Sequence, residues 1–306
     1  MDLTDIKTKA LVAWENHAKA WDEQMGDDGN SYFSALELPI LERMVLKYKS
    51  ARALDLATGN GLVARWLARE GASVVATDAS RPMLERARAR TESWYQDGRL
   101  SREQKISFET LNAASMDAWE EFISQSLTPV SSHAAAGTGL VDRYQTEKFD
   151  IITMNMGIMD IPDLKPLATA LKRLLTQDGC FVATILHPLF FTSGADRQIT
   201  FHENPTTGQR EITRSIILNR YLDVPPARQL LFSEDENTPP PLSFHRPLHE
   251  LFAPFFQKGL VLDALEETNF DESFVDHKRE HSSKNFLQFP KILGFRIRRT
   301  SVSPVN

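Results

Sequence analysis

From residue 53 onward, short apolar runs alternate with segments of helical periodicity, and no other feature limits the possible folds of this chain as strongly. The apolar runs predict strands at 53–56, 73–77, 106–111, 149–154 and 179–186. The periodic segments predict helices at 61–70, 82–95 and 163–175. Short strands joined through helices indicate a parallel sheet whose two faces are both covered by helices.

Both ends of the chain extend this pattern. Two helices are predicted before it, at 7–25 and 32–48. After it we expect a helix at 246–257 and two final strands at 260–266 and 290–298. The predicted fold class is therefore α/β, a Rossmann-like, doubly wound, mostly parallel seven-stranded sheet with helices on both faces and an antiparallel last strand.

Two segments interrupt the alternation. Residues 124–146 are rich in Ser, Thr, Ala and Gly and are predicted to form a mobile surface loop. Residues 188–243 stand where the next helix is expected, and within them 198–203 and 211–218 predict a β-hairpin. We interpret this segment as an inserted lid. The resulting division is as follows: 1–50 as an N-terminal helical cap, 51–187 as the core, 188–243 as the lid and 244–306 as the C-terminal part of the core.

Composition excludes several kinds of protein. With Cys180 as the only cysteine among 306 residues, an intrachain disulfide is impossible, and a reducing, cytoplasmic compartment is expected. The formal net charge of −6 does not favour a nucleic-acid partner. No run approaches about 18 apolar residues, so no membrane span is expected. No cluster of His, Cys and acidic residues has the spacing of a metal site.

The most informative stretch is the loop after the first strand, Asp55-Leu56-Ala57-Thr58-Gly59-Asn60-Gly61. Gly59 and Gly61 lack the Cβ atoms that would keep a ligand away from the backbone N–H groups at the start of the next helix. Asp78 ends the second strand, where a carboxylate can accept hydrogen bonds from both hydroxyls of a ribose. Taken alone, these residues also fit a tight turn with a surface aspartate.

Asp55 distinguishes between two kinds of ligand for this loop, one with a phosphate and one with a cationic group. A dinucleotide fold requires a third glycine and a phosphate beside this turn. The chain has Arg65 in that region, and Asp55 would repel a phosphate. An acid beside the turn instead suits a cationic group, such as an amino-acid ammonium or a sulfonium.

These residues and several later segments resemble the class I S-adenosylmethionine-dependent methyltransferases over about residues 10–299. The segments that carry the resemblance are Asp55–Gly61, Thr77–Ser80 with Met83-Leu84, Phe149–Asn155, Leu174–Phe181, Phe244–Leu248 and Phe289–Phe295. Trp21 and Gly29–Tyr32 add a similarity to a branch that acts on small molecules. The resemblance implies S-adenosylmethionine as the cofactor, bound by these residues: Tyr32, Asp55, Ala57, Gly59, Gly61, Asp78, Ala79, Met83, Asn112, Ala113 and Asn155.

Two positions depart from the pattern of that family. Ala57 stands where the first glycine is usual, and we expect so small a side chain to leave binding intact. Asn112 ends the third strand, where the family often has aspartate. Its amide oxygen can still accept a hydrogen bond from the adenine amino group, while the Ala113 N–H donates to the ring.

Candidate residues for catalysis and for the methyl acceptor lie near the predicted lid. His187 ends the fifth strand and His245 opens the helix after the lid, so each is a candidate general base or, alternatively, a structural histidine. Arg246 is a candidate partner for an acceptor carboxylate. The other predicted substrate-binding residues are Asn30, Phe191 and Tyr221, although aromatic residues here also fit core packing.

The predicted function is methylation by S-adenosylmethionine of an oxygen or nitrogen atom of a small molecule, such as a secondary metabolite or a quinone-type intermediate. The expected partner is this acceptor, without nucleic acid or membrane, and the chain is expected to be a monomer or a homodimer. Two alternatives stay open. One is a protein of the same fold that uses the sulfonium charge for cyclisation or elimination, and the other is a non-catalytic binding protein.

Overall fold

A computed structural model describes residues 3–46, 48–125, 127–129, 144–146, 148–229 and 239–300. Its strands are β1 (Arg52–Leu56), β2 (Ser73–Asp78), β3 (Ile106–Thr110), β4 (Leu127–Pro129), β5 (Tyr144–Thr146), β6 (Phe149–Asn155), β7 (Leu175–Leu186), β8 (Asp196–Glu203), β9 (Arg210–Ile217), β10 (Ala227–Arg228), β11 (Leu242–Ser243), β12 (Leu260–Thr268) and β13 (Ile292–Arg299). Its α-helices are α1 (Leu3–Met25), α2 (Leu38–Met44), α3 (Leu62–Arg69), α4 (Arg81–Gln96), α5 (Met116–Gln125), α6 (Lys165–Leu174) and α7 (Leu248–Phe256).

Seven of the strands form one sheet in the order β12-β13-β7-β6-β1-β2-β3. Strands β7, β6, β1, β2 and β3 are parallel to one another. Strand β13 runs antiparallel to both β7 and β12. The chain crosses from β1 outward to β3 and then returns to the other side of β1 at β6. The predicted doubly wound sheet with an antiparallel last strand is confirmed.

Two apolar clusters cover the two faces of the sheet, because its central strands are buried on both sides. One cluster includes Trp119 of α5, Leu167 of α6 and Phe255 of α7. The other includes Ile40 of α2 and Trp66 of α3. The ligand-facing edge of the sheet lies between these two layers, at the carboxyl ends of the parallel strands.

The N-terminal part contributes α1 and a second helical segment that begins at Ser31. That segment contains one π turn, Phe33–Glu37, in which the Leu38 N–H donates to the carbonyl of Phe33. Pro39 follows at once, and it has no N–H to donate to the carbonyl of Ala35 four residues earlier. The missing hydrogen bond gives a physical reason for the π turn at this point.

The predicted hairpin is confirmed as the pair β8 and β9, which is in register from Asp196 opposite Ile217 to Glu203 opposite Arg210.

The helix α5 was not predicted, although Trp119, Phe122 and Ile123 have helical spacing and are buried. In the predicted loop, β4 and β5 pair antiparallel. Residues 130–143, to which most of the predicted mobility refers, lie outside the described residues. The division into cap, core and lid stays a prediction.

A search of the described residues found no helix that combines the length and the apolar character needed to cross a membrane.

Candidate functional site

A cavity of about 420 Å³ opens at the carboxyl ends of β1, β2, β3 and β6, where α1 closes over it. Its size is within the range of small-molecule and cofactor sites. Eleven of the predicted site residues line it: Asn30, Tyr32, Ala57, Gly59, Asp78, Ala79, Met83, Asn112, Ala113, Asn155 and Phe191. The structure therefore brings together residues from four strand ends and from the N-terminal region.

The loop after β1 contains three residues with positive φ, of which Ala57 and Gly59 line the cavity. Gly61, predicted to bind the cofactor, does not line it, because it packs against Arg65 and Ala87. Gly59 and Gly61 have φ of +56° and +85°, which glycine adopts without steric cost.

Ala57 has φ of +51°, so it holds the conformation of the glycine that it replaces. Its methyl group packs against Gly157, where an added Cβ would come within 2.8 Å. The alanine is thus accommodated because the residue opposite it is a glycine.

Asp55 supports the loop from inside and does not line the cavity. Its carboxylate accepts hydrogen bonds from the hydroxyls of Thr58, at 2.6 Å, and Thr153, at 2.7 Å. Burial raises the pKa of Asp55 to about 6, and these two hydrogen bonds oppose the increase. Asp55 therefore links the turn after β1 to the neighbouring strand β6.

Asp78 lies at the cavity wall at the end of β2, where the sequence predicted it. Its two oxygens accept hydrogen bonds from the backbone N–H groups of Gly59, at 3.0 Å, and Ser80, at 2.8 Å. Burial raises the pKa of this carboxyl to about 6, against these backbone hydrogen bonds. Each carboxylate oxygen has a further lone pair, so the group can also accept from two ligand hydroxyls.

The neighbouring wall is built by the start of α4 and by the turn after β3. The Ser80 hydroxyl caps α4 by accepting from the Met83 N–H, and Met83 is buried at the cavity. The Asn112 amide oxygen accepts from the Ala114 N–H at 3.0 Å. This turn holds Asn112 and Ala113 at the cavity edge beside β2, where a flat ring system would find both a carbonyl acceptor and apolar contacts.

Glu37 is a site residue that the sequence analysis missed. It ends the π turn, is only 3% exposed, and lines the cavity. Asn155 at the end of β6 donates from Nδ2 to Glu37 Oε2 at 2.8 Å, and accepts from the Thr184 hydroxyl at 2.6 Å. Burial raises the pKa of Glu37 to about 7, with the Asn155 hydrogen bond acting in the other direction. The sequence did contain a signal for Glu37. This charged residue has the helical spacing of the apolar residues Phe33, Ile40 and Met44, which predicts that it lies on the buried face.

A second missed acid, Asp160, lies beyond β6 and also lines the cavity. Gln229, from the predicted lid, donates to it from Nε2. Burial, and then the negative charge of Asp78, raise the pKa of Asp160 well above its usual range, against the hydrogen bond from Gln229.

The helix α1 forms the outer wall of the cavity. The sequence predicted only that this helix belongs to an N-terminal cap. Trp14 and Trp21 line the cavity and meet edge to face, with 5.7 Å between their ring centroids. A Cβ on Gly59 would lie 3.3 Å from Trp21 Nε1, so the loop passes directly beneath this indole.

The same helix is fastened to the core next to the loop. The Asn60 side chain donates to Asp22 Oδ1 at 3.1 Å and to the carbonyl of Gly26 at 3.0 Å. Asp22 also forms ion pairs with Arg86 and Arg90 of α4. Burial favours the protonated form of Asp22, but hydrogen bonds from Arg90 and Asn60 lower its pKa overall.

The two predicted catalytic histidines do not line the cavity. The Leu189 N–H donates to His187 Nδ1, so Nε2 carries the proton and donates to Glu267 at 2.6 Å. His245 donates from Nε2 to the carbonyl of Tyr221 and pairs with the Thr192 hydroxyl through Nδ1. Burial lowers the pKa of both imidazoles, against the hydrogen bond with Glu267 in one and with Tyr221 in the other. Both are tied into the local structure, and a catalytic role for either has no support from this geometry.

Two predicted substrate residues are likewise occupied elsewhere. The Arg246 guanidinium donates to the carbonyls of Ile158, Phe244 and Ile161, and thus holds the turn after β6. The Tyr221 hydroxyl accepts from the N–H of Leu248 at the start of α7. Neither residue lines the cavity. Backbone groups elsewhere are the hydrogen-bond partners of both side chains.

The cavity fits an adenosine-containing ligand with a cationic tail. Asp78 offers two acceptor oxygens at one side, and the glycine loop leaves room that a Cβ at Gly59 would fill against Trp21. Among the residues that the structure describes, no three His, Cys, Asp or Glu side chains are grouped so as to hold a metal ion.

Comparisons with known proteins agree with this site. A sequence model of the family described as Methyltransferase domain matches residues 31–226. A ubiquinone biosynthesis O-methyltransferase of Pasteurella multocida (strain Pm70) is 25% identical over 185 residues, which are 60% of this chain and 66%, just under two thirds, of that enzyme.

Two crystal structures share the fold. An S-adenosylmethionine dependent methyltransferase from Mesorhizobium loti has a TM-score of 0.57 at 19% identity, covering 90% of this chain and 100% of that one. A protein from Listeria monocytogenes assigned to the same class has a TM-score of 0.58 at 15% identity, covering 89% and 100%.

The fold is that of the class I S-adenosylmethionine-dependent methyltransferases. The chain belongs to the methyltransferase domain family, whose sequence model covers more than half of it. S-adenosylmethionine is accordingly its cofactor.

Proposed function

We propose that this methyltransferase transfers the methyl group of S-adenosylmethionine to an oxygen or nitrogen atom of a small molecule. The observation that carries the proposal is the cavity beneath α1, whose wall beyond the Asp78 side is largely apolar and aromatic. Trp14, Met159, Ile161 and Phe191 contribute to this wall. Such a wall suits a compact apolar acceptor and excludes water from it. The Pasteurella relative, whose name gives it an O-methyltransferase activity in ubiquinone biosynthesis, is consistent with an acceptor of this class.

In this proposal each wall of the cavity has its own task. Asp78 accepts the ribose hydroxyls, and Asn112 with Ala113 borders the adenine. The loop from Ala57 to Asn60 and the side chains of Asn30 and Tyr32 surround the methionine portion. When bound, S-adenosylmethionine supplies an electrophilic methyl group on a sulfonium. The residues at the end of β6 and on α1 then align the acceptor with that methyl group, and alignment supplies a large part of the rate enhancement.

Thermal unfolding with added ligands tests the cofactor part of the proposal. S-adenosylhomocysteine at about 100 times its Kd should stabilise the protein by about 2.7 kcal/mol and raise its Tm, because it binds only the folded state. NAD and ATP should leave the Tm unchanged, since the Asp78 carboxylate lines the cavity, already accepts from the Gly59 N–H and disfavours a phosphate beside this loop. Stabilisation by NAD without stabilisation by S-adenosylhomocysteine would contradict the assignment.

Transfer of isotopically labelled methyl groups to candidate acceptors tests the remaining part. Label in a methylated product, with an equal amount of S-adenosylhomocysteine released, is the expected result. Conversion of an added compound with no label transferred and no S-adenosylhomocysteine released would instead indicate that the sulfonium acts only through its charge.

A further inference from the structure

Two carboxyl groups, that of the buried Glu37 and that of the half-buried Asp160, line the cavity, and no cation from the described part of the chain is hydrogen-bonded to either of them. Among the described residues, Asn155 is the recorded hydrogen-bond partner of Glu37, and it binds only Oε2. Glu37 Oε1 is not among the fully buried side-chain atoms that lack a partner, so it keeps some accessible surface, and the side chain lines the cavity. Asp160 receives its hydrogen bond from the neutral amide of Gln229. Buried carboxylates are ordinarily paired with a positive charge, and an amide does not supply one.

The rest of the cavity offers no compensating charge. Its lining, as far as the structure describes the chain, contains three carboxyl groups, from Glu37, Asp78 and Asp160, and no lysine, arginine or histidine. S-adenosylmethionine carries one more positive than negative charge, because its ammonium and sulfonium outweigh its carboxylate. With the cofactor bound, the three carboxyl groups of the lining outnumber the one net positive charge that the cofactor brings.

The aromatic side chains of the same cavity suit a cation as well. Trp14, Trp21 and Phe191 line it together with the two carboxyl groups. The face of an aromatic ring attracts an ammonium group, and the attraction is stronger when water is excluded. An anionic acceptor would disfavour ionisation of these carboxyl groups, and a neutral hydroxyl would not balance their charge, whereas an ammonium group would favour the carboxylate form.

We propose that the methyl acceptor is an amine on an apolar body, and that Glu37 and Asp160 bind its ammonium group in this cavity. The proposal rests on the methyl transfer proposed above and narrows its acceptor to nitrogen. Glu37 is linked to the end of β6 through its hydrogen bond with Asn155. It accordingly takes the proton that the ammonium must lose before its nitrogen can react.

The proposed step balances in atoms and charge. The ammonium gives one proton to the Glu37 carboxylate and becomes a neutral amine. Its nitrogen lone pair forms the new N–C bond as the C–S bond breaks, and the electron pair of that bond stays on sulfur. The products are a methylated ammonium and S-adenosylhomocysteine, and the proton leaves Glu37 for the solvent.

Binding of matched probes to the protein loaded with S-adenosylhomocysteine tests the proposal without knowledge of the natural acceptor. The probes are phenylalkylamines with one to four methylene groups and, for each, the alcohol and the carboxylate of equal length. Calorimetry should show that at least one amine binds ten or more times more tightly than its matched alcohol, and that the carboxylates bind most weakly. The preference should shrink by about tenfold in Glu37→Gln or Asp160→Asn.

Asp117→Asn is the matched control, because it removes one exposed carboxylate on α5, away from the cavity lining. It should keep the full preference for the amine. The affinity of each variant for S-adenosylhomocysteine and its Tm establish that it is folded, and if one of the two cavity variants is not, the other decides the test. Labelled methyl transfer to the preferred amine provides a second readout.

The result that overturns the inference is an amine that binds no better than its alcohol, including the case in which neither binds. A preference that survives unchanged in both cavity variants overturns it too. Either result can occur in a protein that binds S-adenosylhomocysteine normally. A wild-type protein that does not bind S-adenosylhomocysteine contradicts the proposed function itself.

Discussion

At the scale of single residues, Asp78 joins the loop to the proposed ribose site. Its carboxylate accepts from the N–H groups of Gly59 and Ser80, so it positions the backbone of two ligand-facing segments at once. The side chain also lines the cavity, and each of its oxygens has a further lone pair with which to accept a hydrogen bond. Asp78 is therefore both a structural and a proposed cofactor-binding residue.

Replacing Asp78 by alanine should weaken the binding of S-adenosylhomocysteine by roughly 2–4 kcal/mol, or about 30- to 900-fold, because charge-assisted hydrogen bonds to the ribose are lost. Asp78→Asn should have an intermediate effect. Its amide keeps one acceptor oxygen but turns an NH₂ group toward a backbone N–H. Isothermal calorimetry measures the affinities, and Asp117→Ala serves as the control. Unchanged affinity in folded Asp78→Ala would show that the ribose is bound elsewhere.

At the scale of elements, α1 is the part of the molecule that closes the cavity. Its inner face carries Trp14 and Trp21, and its last turns are fastened by Asp22 to Asn60 in the loop and to two arginines of α4. The loop that faces the cofactor and the helix that covers it are thus connected by a direct hydrogen bond. Opening of the cavity at this side requires that these bonds break.

Asp22→Ala should accelerate the dissociation of S-adenosylhomocysteine about tenfold or more and lower the stability by about 1–3 kcal/mol, because partly buried arginines lose their partner. Glu23→Ala on the same helix is the matched control. Its ion pair with Lys19 is largely exposed, with 64% and 73% of the two side chains accessible, so little change is expected. Stopped-flow displacement gives the dissociation rates. Equal rates in the two variants would mean that α1 does not limit release.

At the scale of the whole molecule, buried carboxyl groups couple stability to pH. Burial raises the pKa to about 7 in Glu37 and to about 6 in Asp55 and Asp78. The folded state therefore holds protons that the unfolded chain releases. These groups favour folding most at low pH, and their contribution is lost as the pH rises through the folded-state pKa values.

Glu37→Gln isolates one of these contributions. Below the unfolded-state pKa of about 4.5 the variant and the wild type should be equally stable, because Glu37 is protonated in both states. Above about pH 7 the variant should be more stable by up to about 3 kcal/mol, since it has no carboxylate to bury. Urea unfolding between pH 4 and 8, without ligand, measures this difference. A difference that does not depend on pH would show that Glu37 has an ordinary pKa in the folded protein.

The sequence by itself determined the order of strands and helices in the core, apart from α5, because each predicted element carries its own periodicity of apolar residues. It also determined the glycine loop and Asp78, since a local run of residues is sufficient to specify a strand, a turn and the start of a helix. Asp55 was identified from this run as well, but the contact with Thr153, nearly a hundred residues away, shows that it supports the loop from within.

Only the tertiary structure decided which polar residues meet at the cavity. Glu37 and Asp160 face the same space as Asp78 because α1, the π turn and the segment after β6 converge over the strand ends. In the sequence, His187, His245 and Arg246 flank the predicted lid. In the structure they do not line the cavity, and their side chains are bound by carbonyl, carboxylate and hydroxyl partners. Local sequence gives the type of a polar side chain, whereas the partners that satisfy it come from distant parts of the chain and appear only on folding.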